Sequence, residues 1–297
     1  MKLLVVNGCI FHHELFAYML EFADYIHATI DILTNTEAEM GWLSYLQKKY
    51  SNCNYIQTYQ PDNYDIIILL TDDDPIFSTP QFMEPIKYKL LCIDHYYQIR
   101  NPYPIYRICT RPFYNDPRPY AYHTFSAISP EEKQKALSKT EIHIACIGDR
   151  HYPTSAKLKS LFPNSNSIHF HIINRHLYEK CPDPNYHYYI QCSAEELFNI
   201  VKQCHYTFTY WEEPYLTKHI PCFLPYSYSC GCQLILPASY KAHYQLTSPI
   251  YYEKEITLPS FPDIEKVFIE RTSIIQHRND VLSRVINGMG QSHSQQA

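Results

Sequence analysis

The chain has 297 residues, of which 45% are hydrophobic and 19% are charged, and its formal net charge is −5. This length allows two domains of roughly 130 to 150 residues, each large enough to bury its own core. The acidic balance, without a long basic run, argues against nucleic acid as a partner, and no apolar run approaches the roughly 20 residues that span a bilayer.

The predicted elements begin with a short apolar run, Met1 to Gly8, that ends at a glycine. A helical spacing of apolar residues follows from Glu14 to Tyr25. The run from Tyr64 to Leu70 has almost no polar interruption and predicts a central strand covered on both faces. The same half contains further predicted strands at 28–33, 54–58, 90–94 and 105–110 and a second predicted helix at 37–50.

Polar side chains follow three successive strands of this half. Asp72, Asp73 and Asp74 come directly after the central strand, His95 follows the strand that ends at Asp94, and Arg111 follows Thr110. Because ligands of open α/β sheets bind at the carboxyl ends of the strands, this repeated placement predicts a functional edge.

The second half repeats the scheme after a connection that ends in a helix start, Ser129-Pro130-Glu131-Glu132. A second apolar run, Glu141 to Asp149, again contains a terminal glycine, Gly148. Ser193, with Glu196 three residues later, predicts a capping box. The other predicted elements are strands at 167–173, 186–191, 205–210, 233–236 and 250–252 and helices at 155–162, 194–204 and 225–230.

The chain ends with an amphipathic pattern and a polar tail. Apolar residues recur with helical spacing from Phe261 to Ile286, which predicts a long helix. The segment from Gly288 to Ala297 is rich in polar residues and predicts disorder.

These patterns predict an α/β protein made of two tandem Rossmann-like domains with a long C-terminal helix. The expected boundaries are 1–128 for the first domain, 129–260 for the second, 261–287 for the helix and 288–297 for the tail. Two such sheets in tandem predict a cleft between the domains, lined by strand ends.

This arrangement resembles the GT-B glycosyltransferases, and specifically the glycosyltransferase-like proteins of large DNA viruses. The segment from His205 to Pro237 resembles their donor-binding region, in which a strand, a loop, a helix and a Gly precede a strand like LILP. The resemblance implies a first domain on the acceptor side, a second domain that binds a nucleotide-diphosphate sugar, and a last helix that packs back on the first domain.

Sugar transfer needs a base for the acceptor hydroxyl and donors for the departing diphosphate. His95, His13 and Asp72 are the candidate catalytic residues, and the resemblance implies acceptor binding by Asp73, Asp74 and Arg111. Donor binding is expected of a group of residues that follow the strands of the second domain: Gly148, Arg150, Gln191, Tyr210, Glu212, Glu213 and Lys218.

We expect no cofactor and no metal site. The Asp72-Asp73-Asp74 run contains a DxD pattern whose oxygens could hold Mn²⁺ or Mg²⁺, but such carboxylates on the acceptor side favour a base or acceptor-binding role. The expected partners are a nucleotide sugar and a glycan or other hydroxyl acceptor, in the cytoplasm, with no membrane span and no nucleic acid.

Two other functions stay open. Many retaining GT-B enzymes carry two Glu separated by seven residues in this region. Here Glu212 and Glu213 have no Glu seven or eight positions later, where the chain has Ile220 and Pro221. A catalytically silent module that binds a nucleotide sugar or a partner is therefore an alternative. A sugar-nucleotide epimerase on the same frame is another.

Overall fold

The computed structural model describes residues 1–7, 14–33, 41–50, 53–71, 77, 79–95, 99, 103, 106–113, 115–148, 153–174, 176, 180–210, 216, 223–259 and 261–294. The chain divides into two compact units. The first contains Met1–His123 and Ile274–Ala297, and the second contains Thr124–Ser273.

The first unit is built on a six-stranded parallel sheet in the order β3-β2-β1-β4-β5-β6. Its strands are β1 (Lys2–Val6), β2 (Thr29–Leu33), β3 (Cys53–Ile56), β4 (Ile66–Leu69), β5 (Leu90–Asp94) and β6 (Tyr106–Cys109). The described helices between them are α1 (Glu14–Tyr25), α2 (Trp42–Lys49) and α3 (Pro80–Met83), with short 3-10 helices at Pro61–Asn63 and Glu84–Ile86.

The centre of this sheet contains β4, which lies in the apolar run from Tyr64 to Leu70. All four residues of β4 are buried, and the strand lies between β1 and β5, with Ile67 opposite Leu4 and Leu90. A parallel strand covered on both faces needs apolar side chains in both directions, which the run IIIL supplies. The prediction of a central strand here is confirmed.

A buried carboxylate links the neighbouring strands β1, β2 and β3 of this sheet. Asp31 in β2 accepts hydrogen bonds from Asn54 Nδ2 at 2.9 Å and Tyr64 OH at 2.7 Å, and its Oδ2 lies 3.0 Å from Lys2 Nζ. Burial would raise the pKa of the Asp31 carboxyl, but these hydrogen bonds outweigh burial and lower it. The polar group is therefore satisfied inside the sheet.

The second unit contains another six-stranded parallel sheet, in the order β12-β11-β10-β7-β8-β9. Its strands are β7 (Ile142–Ile147), β8 (Ile168–Asn174), β9 (Tyr186–Ile190), β10 (Tyr206–Phe208), β11 (Gln233–Pro237) and β12 (Ile250–Tyr252). Its described helices are α4 (Pro130–Ala136), α5 (Ser155–Leu161), α6 (Ala194–Val201), α7 (Phe223–Ser229) and α8 (Tyr240–Tyr244), followed by α9 (Ile264–Ser294).

The helix starts of this unit follow their sequence signals. Ser129 and Ser193 each accept a hydrogen bond from the backbone N–H three residues on, and the carboxylates of Glu132 and Glu196 each accept one from the backbone N–H of the cap residue. Both are complete capping boxes, which satisfy two otherwise unpaired N–H groups at each helix start. The predicted start of α4 and the predicted capping box of α6 are confirmed.

The long last helix starts later and ends later than its predicted limits. Pro262 precedes its first turn, and the helix continues past Ile286 to Ser294. Met289 is fully buried and so continues the apolar face of the helix into the segment that composition predicts to be disordered. Polar composition alone misses this one anchoring side chain.

Helix α9 contributes to both units. Arg271 donates to the carbonyl oxygen of Ile128 at 2.8 Å within the second unit. From Ile274 onward the helix belongs to the first unit, where the buried Arg278 pairs with Glu21 at 2.9 Å. Among the described helices none is both long and apolar enough to cross a membrane.

Candidate functional site

Each sheet has one point where the strand order reverses. In the first unit β1 lies between β2 and β4, and in the second unit β7 lies between β8 and β10. At such a point the connections leave towards opposite faces, which opens a crevice at the carboxyl ends of the two central strands. The pairs β1–β4 and β7–β10 therefore mark where a ligand would bind each sheet.

The loops that follow these central strands carry most of the residues predicted from the sequence. They fall in residues 8–13, 72–76, 149–152 and 211–215, and these lie outside the described residues. The same holds for residues 217–222. The candidates concerned are His13, Asp72, Asp73, Asp74, Arg150, Glu212, Glu213 and Lys218.

The structure does describe four adjacent strand ends in the second unit. Tyr210 follows β10, Gly148 follows β7, Asn174 ends β8 and Gln191 follows β9. Backbone hydrogen bonds continue the sheet across these ends, from Gly148 N to the Ile173 oxygen at 3.1 Å and from Gln191 N to the Asn174 oxygen at 3.0 Å. Three of the predicted donor-binding residues thus lie along one edge, and we call Tyr210, Gly148, Asn174 and Gln191 the donor edge.

Asn174 is the member of the donor edge that the sequence analysis missed. Its side chain is buried, its Oδ1 accepts from the backbone N–H of His176 at 3.3 Å, and its Nδ2 has no hydrogen-bond partner among the described residues. An unsatisfied buried donor costs about 1 to 3 kcal/mol, so such groups commonly await a ligand or water. Its position, one residue beyond a predicted apolar strand, is the signal that could have identified it.

Gln191 holds an unusual backbone conformation. Its φ is 54°, in the left-handed region that residues with a side chain rarely adopt. The residue turns the chain out of β9 towards the capping box of α6, and its side chain is exposed. A strained residue at a strand end is consistent with a functional position, and the role of Gln191 in donor binding stays a prediction.

Tyr210 presents an aromatic surface at the switch point of the second unit. Its ring is half-buried against the core and lies 5.9 Å from the ammonium of Lys157, which projects from α5. An aromatic face beside a cation suits a nucleotide, which offers a flat base and a negative diphosphate. Lys157 is a second residue that sequence reasoning missed, because only the fold brings α5 to this strand end.

In the first unit, a buried ion-pair network holds the end of β5. Asp94 accepts from Arg107 Nη1 at 2.5 Å and from Arg118 Nη1 at 2.7 Å, and Arg118 also binds Asp116. Burial would raise the pKa of the Asp116 carboxyl, but its hydrogen bonds with Arg118 outweigh burial and lower it. Asp94 is thus a structural anchor for the residue that follows it.

That residue, His95, is buried. Its ring centroid lies 5.6 Å from that of His123, which in turn lies 6.3 Å from the ring of Tyr18. A general base must come within about 3 Å of the acceptor hydroxyl. Catalysis by His95 therefore needs a path to its ring, and its catalytic role stays a prediction.

Arg111 is also fully buried. Its guanidinium donates to the carbonyl oxygen of Pro112 at 3.1 Å and lies 4.0 Å from the centre of the Phe113 ring. These contacts show a packed cation beyond the end of β6. Acceptor binding by Arg111 stays a prediction.

The comparisons with solved structures identify the fold. AviGT4, a glycosyltransferase involved in avilamycin A biosynthesis, matches 98% of this chain and 97% of its own at a TM-score of 0.60 and 8% identity. Anabaena Alr3699/HepE, solved with UDP and glucose, matches 99% of this chain and 100% of its own at 0.54 and 10%. Arabidopsis thaliana UGT89C1, solved with quercetin, matches 97% and 99% at 0.52 and 10%.

No protein-family model matches the chain, and no curated protein matches it in sequence. At these identities the structural matches establish the fold alone. Together with the two six-stranded parallel sheets and the long last helix, they show that this chain has the two-domain GT-B architecture found in glycosyltransferases, as the sequence predicts.

Proposed function

We propose that the protein is a glycosyltransferase that moves a sugar from a nucleotide-diphosphate sugar to an acceptor hydroxyl. The observation that carries the proposal is the donor edge, which combines an aromatic ring, a glycine and a buried amide with no partner in the described part of the chain, all at the strand ends of a GT-B sheet. Ligands of doubly wound sheets bind at this position. The relation to viral glycosyltransferase-like proteins stays a prediction.

The second unit is proposed to bind the donor. Tyr210 would stack on the base or sugar, Asn174 Nδ2 would donate to the nucleotide, and Gln191 would contribute a further polar contact. The glycine at Gly148 lets a phosphate approach the backbone closely. Two further kinds of contact are proposed from the loops: Arg150 and Lys218 to the diphosphate, and Glu212 or Glu213 to the ribose hydroxyls.

The first unit is proposed to bind the acceptor and to supply the base. His13, Asp72 or His95 would take the proton of the attacking hydroxyl, and Asp73, Asp74 or Arg111 would hold the acceptor. The positive side chains of the second unit would stabilise the leaving diphosphate, so the proposed reaction is independent of a metal ion.

UDP-glucose is the first donor to test, because the Anabaena protein of the same fold has been solved in complex with it. A catalytically silent binding module is the second candidate. The burial of His95 and Arg111 favours it, since neither side chain is open to an acceptor in this structure.

Donor turnover without an acceptor separates these functions. We expect slow hydrolysis of UDP-glucose to UDP and glucose, because water replaces the acceptor hydroxyl in a transferase. Chromatography of the nucleotide products measures this. Inversion at a sugar carbon with no release of UDP would identify an epimerase, and binding without any product would identify the silent module.

A further inference from the structure

Five histidines lie next to one another in the sheet of the second unit. Side chains two residues apart on a strand share a face, which places His169 and His171 together. The parallel register sets His143 opposite His169 and His171 opposite His187. His205, just before β10, completes the group by stacking on His143 at 6.0 Å between ring centroids. We call these five residues the histidine array.

The imidazoles are joined in two pairs by direct contacts between ring nitrogens. His143 Nδ1 lies 2.8 Å from His171 Nε2, and His169 Nδ1 lies 3.0 Å from His187 Nε2. The pairs are stacked on each other, with ring centroids 4.9 Å apart for His143 and His169 and 4.8 Å for His171 and His187. Each ring is therefore within reach of the charge on several others.

Each nitrogen–nitrogen contact limits how many protons the pair can hold. A hydrogen bond between two imidazoles needs one N–H and one lone pair. If both members of a pair were imidazolium, two N–H groups would face each other across about 3 Å and the contact would break. The folded array can therefore hold at most one extra proton on His143 and His171, and one on His169 and His187.

His205 is fixed in the neutral form by its two partners. Its Nδ1 accepts from the backbone N–H of His143 at 3.1 Å, and its Nε2 donates to the carbonyl oxygen of Ser138 at 3.0 Å. A second proton would replace the accepting lone pair and break the first of these bonds. The geometry thus excludes three protons from five histidines.

Other charged and titratable groups also face the array. The carboxylate of Glu141 lies 3.7 Å from both His143 Nε2 and His169 Nε2, and the Tyr189 hydroxyl lies 3.1 Å from His171 Nδ1. The ammonium of Lys133 disfavours a positive charge on His205. Glu141 is half-exposed, so its attraction is screened by solvent and does not offset the burial of the inner rings.

The array is not arranged as a metal site. The lone pairs of stacked rings lie in nearly parallel planes, so they cannot converge on one ion. Among the described residues no group of three His, Cys, Asp or Glu side chains is placed to hold a metal.

We propose that the histidine array is an acid-sensitive device that keeps the second unit folded near neutral pH and releases its sheet as the solution becomes mildly acidic. In the unfolded chain all five imidazoles accept a proton near pH 6.5, whereas the folded array cannot. The contribution of the array to the free energy of unfolding is therefore fully present above pH 6.5 and is lost as the pH falls below it.

The pKa directions agree with this proton count. Burial lowers the pKa of His171 to about 3, with His187, His143 and His169 adding to the effect. Burial lowers the pKa of His205 to about 4, and burial also lowers the pKa values of His143 and His187. The device is independent of the proposed sugar transfer.

The proposal is tested by urea unfolding of the full chain at several pH values between 7.5 and 5, followed by circular dichroism. Well below pH 6.5, each excluded proton raises the unfolding equilibrium constant about tenfold per pH unit. The variant His171→Gln stays neutral and should reduce this dependence by about one proton, or tenfold per unit. The exposed His176 in the same unit offers a control, and His176→Gln should leave the wild-type dependence unchanged.

Histidine NMR of the wild-type protein gives a second measurement that needs no variant to fold. With Cε1-labelled histidine, at least three of the five resonances assigned to the array should keep neutral shifts at pH 5 for as long as native signals persist. The proposal is overturned if all five array resonances titrate near pH 6.5 while the native spectrum persists. It is also overturned if the unfolding of His171→Gln by urea has the same pH dependence as that of the wild-type protein.

Discussion

At the scale of single residues, the donor edge combines two features that folding alone does not favour. The Asn174 amide is buried with a donor that has no partner among the described residues, and Gln191 adopts a left-handed backbone conformation. Each costs free energy in the unliganded protein, of order 1 to 3 kcal/mol. Both lie at the carboxyl edge of one sheet, where a bound nucleotide sugar would offset part of that cost.

The substitution Gln191→Gly separates the effect of the strained backbone on stability from the effect of the side chain on donor binding. Glycine adopts a φ of 54° without strain, so we expect the free energy of unfolding to stay the same or to rise by up to about 1 kcal/mol. Removing the amide should weaken nucleotide-sugar binding by about 1 kcal/mol, or roughly fivefold in Kd. Thermal unfolding and calorimetric titration measure the two effects.

His27 provides the matched control because its φ of 53° is nearly the same and it lies in the first unit. His27→Gly should show the same change in stability with no change in donor affinity. Equal affinities for the wild-type protein and Gln191→Gly would remove Gln191 from the donor site.

At the scale of secondary-structure elements, the sequence predicts the position of most strands and helices. The strand β5 and the helix α1 have the predicted limits, and the predicted start of α4 and the predicted capping box of α6 both form. These elements carry strong local signals, namely apolar periodicity and a cap residue. Helix α9 extends beyond its predicted end, and Met289, three residues after the buried Ile286, continues its apolar face into the segment whose polar composition predicts disorder.

The junction of α7 and β11 depends on a close approach to α9. Gly231 has a φ of 63°, and a Cβ atom at this position would lie 2.5 Å from Cζ of Phe268. We expect Gly231→Ala to lower the free energy of unfolding by about 2 to 4 kcal/mol, through backbone strain and overpacking. Urea unfolding followed by circular dichroism measures this.

An exposed glycine within α9 is the control for that substitution. A Cβ atom at Gly290 would meet nothing within 4 Å, and alanine favours helix. Gly290→Ala should therefore raise stability by up to about 1 kcal/mol. A Gly231→Ala protein as stable as the wild type would show that Phe268 and the backbone relax at no cost.

At the scale of the whole molecule, a repeated strand–glycine pattern was sufficient to predict two doubly wound sheets. The order of strands in each sheet shows where its switch point lies. Local sequence patterns do not predict this order, because they do not indicate which strands the crossover connections place side by side. This is why Lys157 was missed, whereas Asn174 could have been identified from its position at the end of a predicted strand. The sequence pattern also does not predict that His95 and Arg111 are buried, because burial depends on which elements cover each strand end.

The central claim is that the donor edge of the second unit binds a nucleotide sugar. The most direct test is calorimetric titration of the full chain with UDP-glucose in the presence of EDTA, for the wild-type protein, Asn174→Ala and Asn199→Ala. Asn199 is an exposed residue of α6 and serves as the control. We predict metal-independent binding that Asn174→Ala weakens about fivefold and Asn199→Ala leaves unchanged. Absence of binding to UDP-glucose and to the corresponding ADP, GDP and TDP sugars, or equal affinity in all three proteins, would contradict the account.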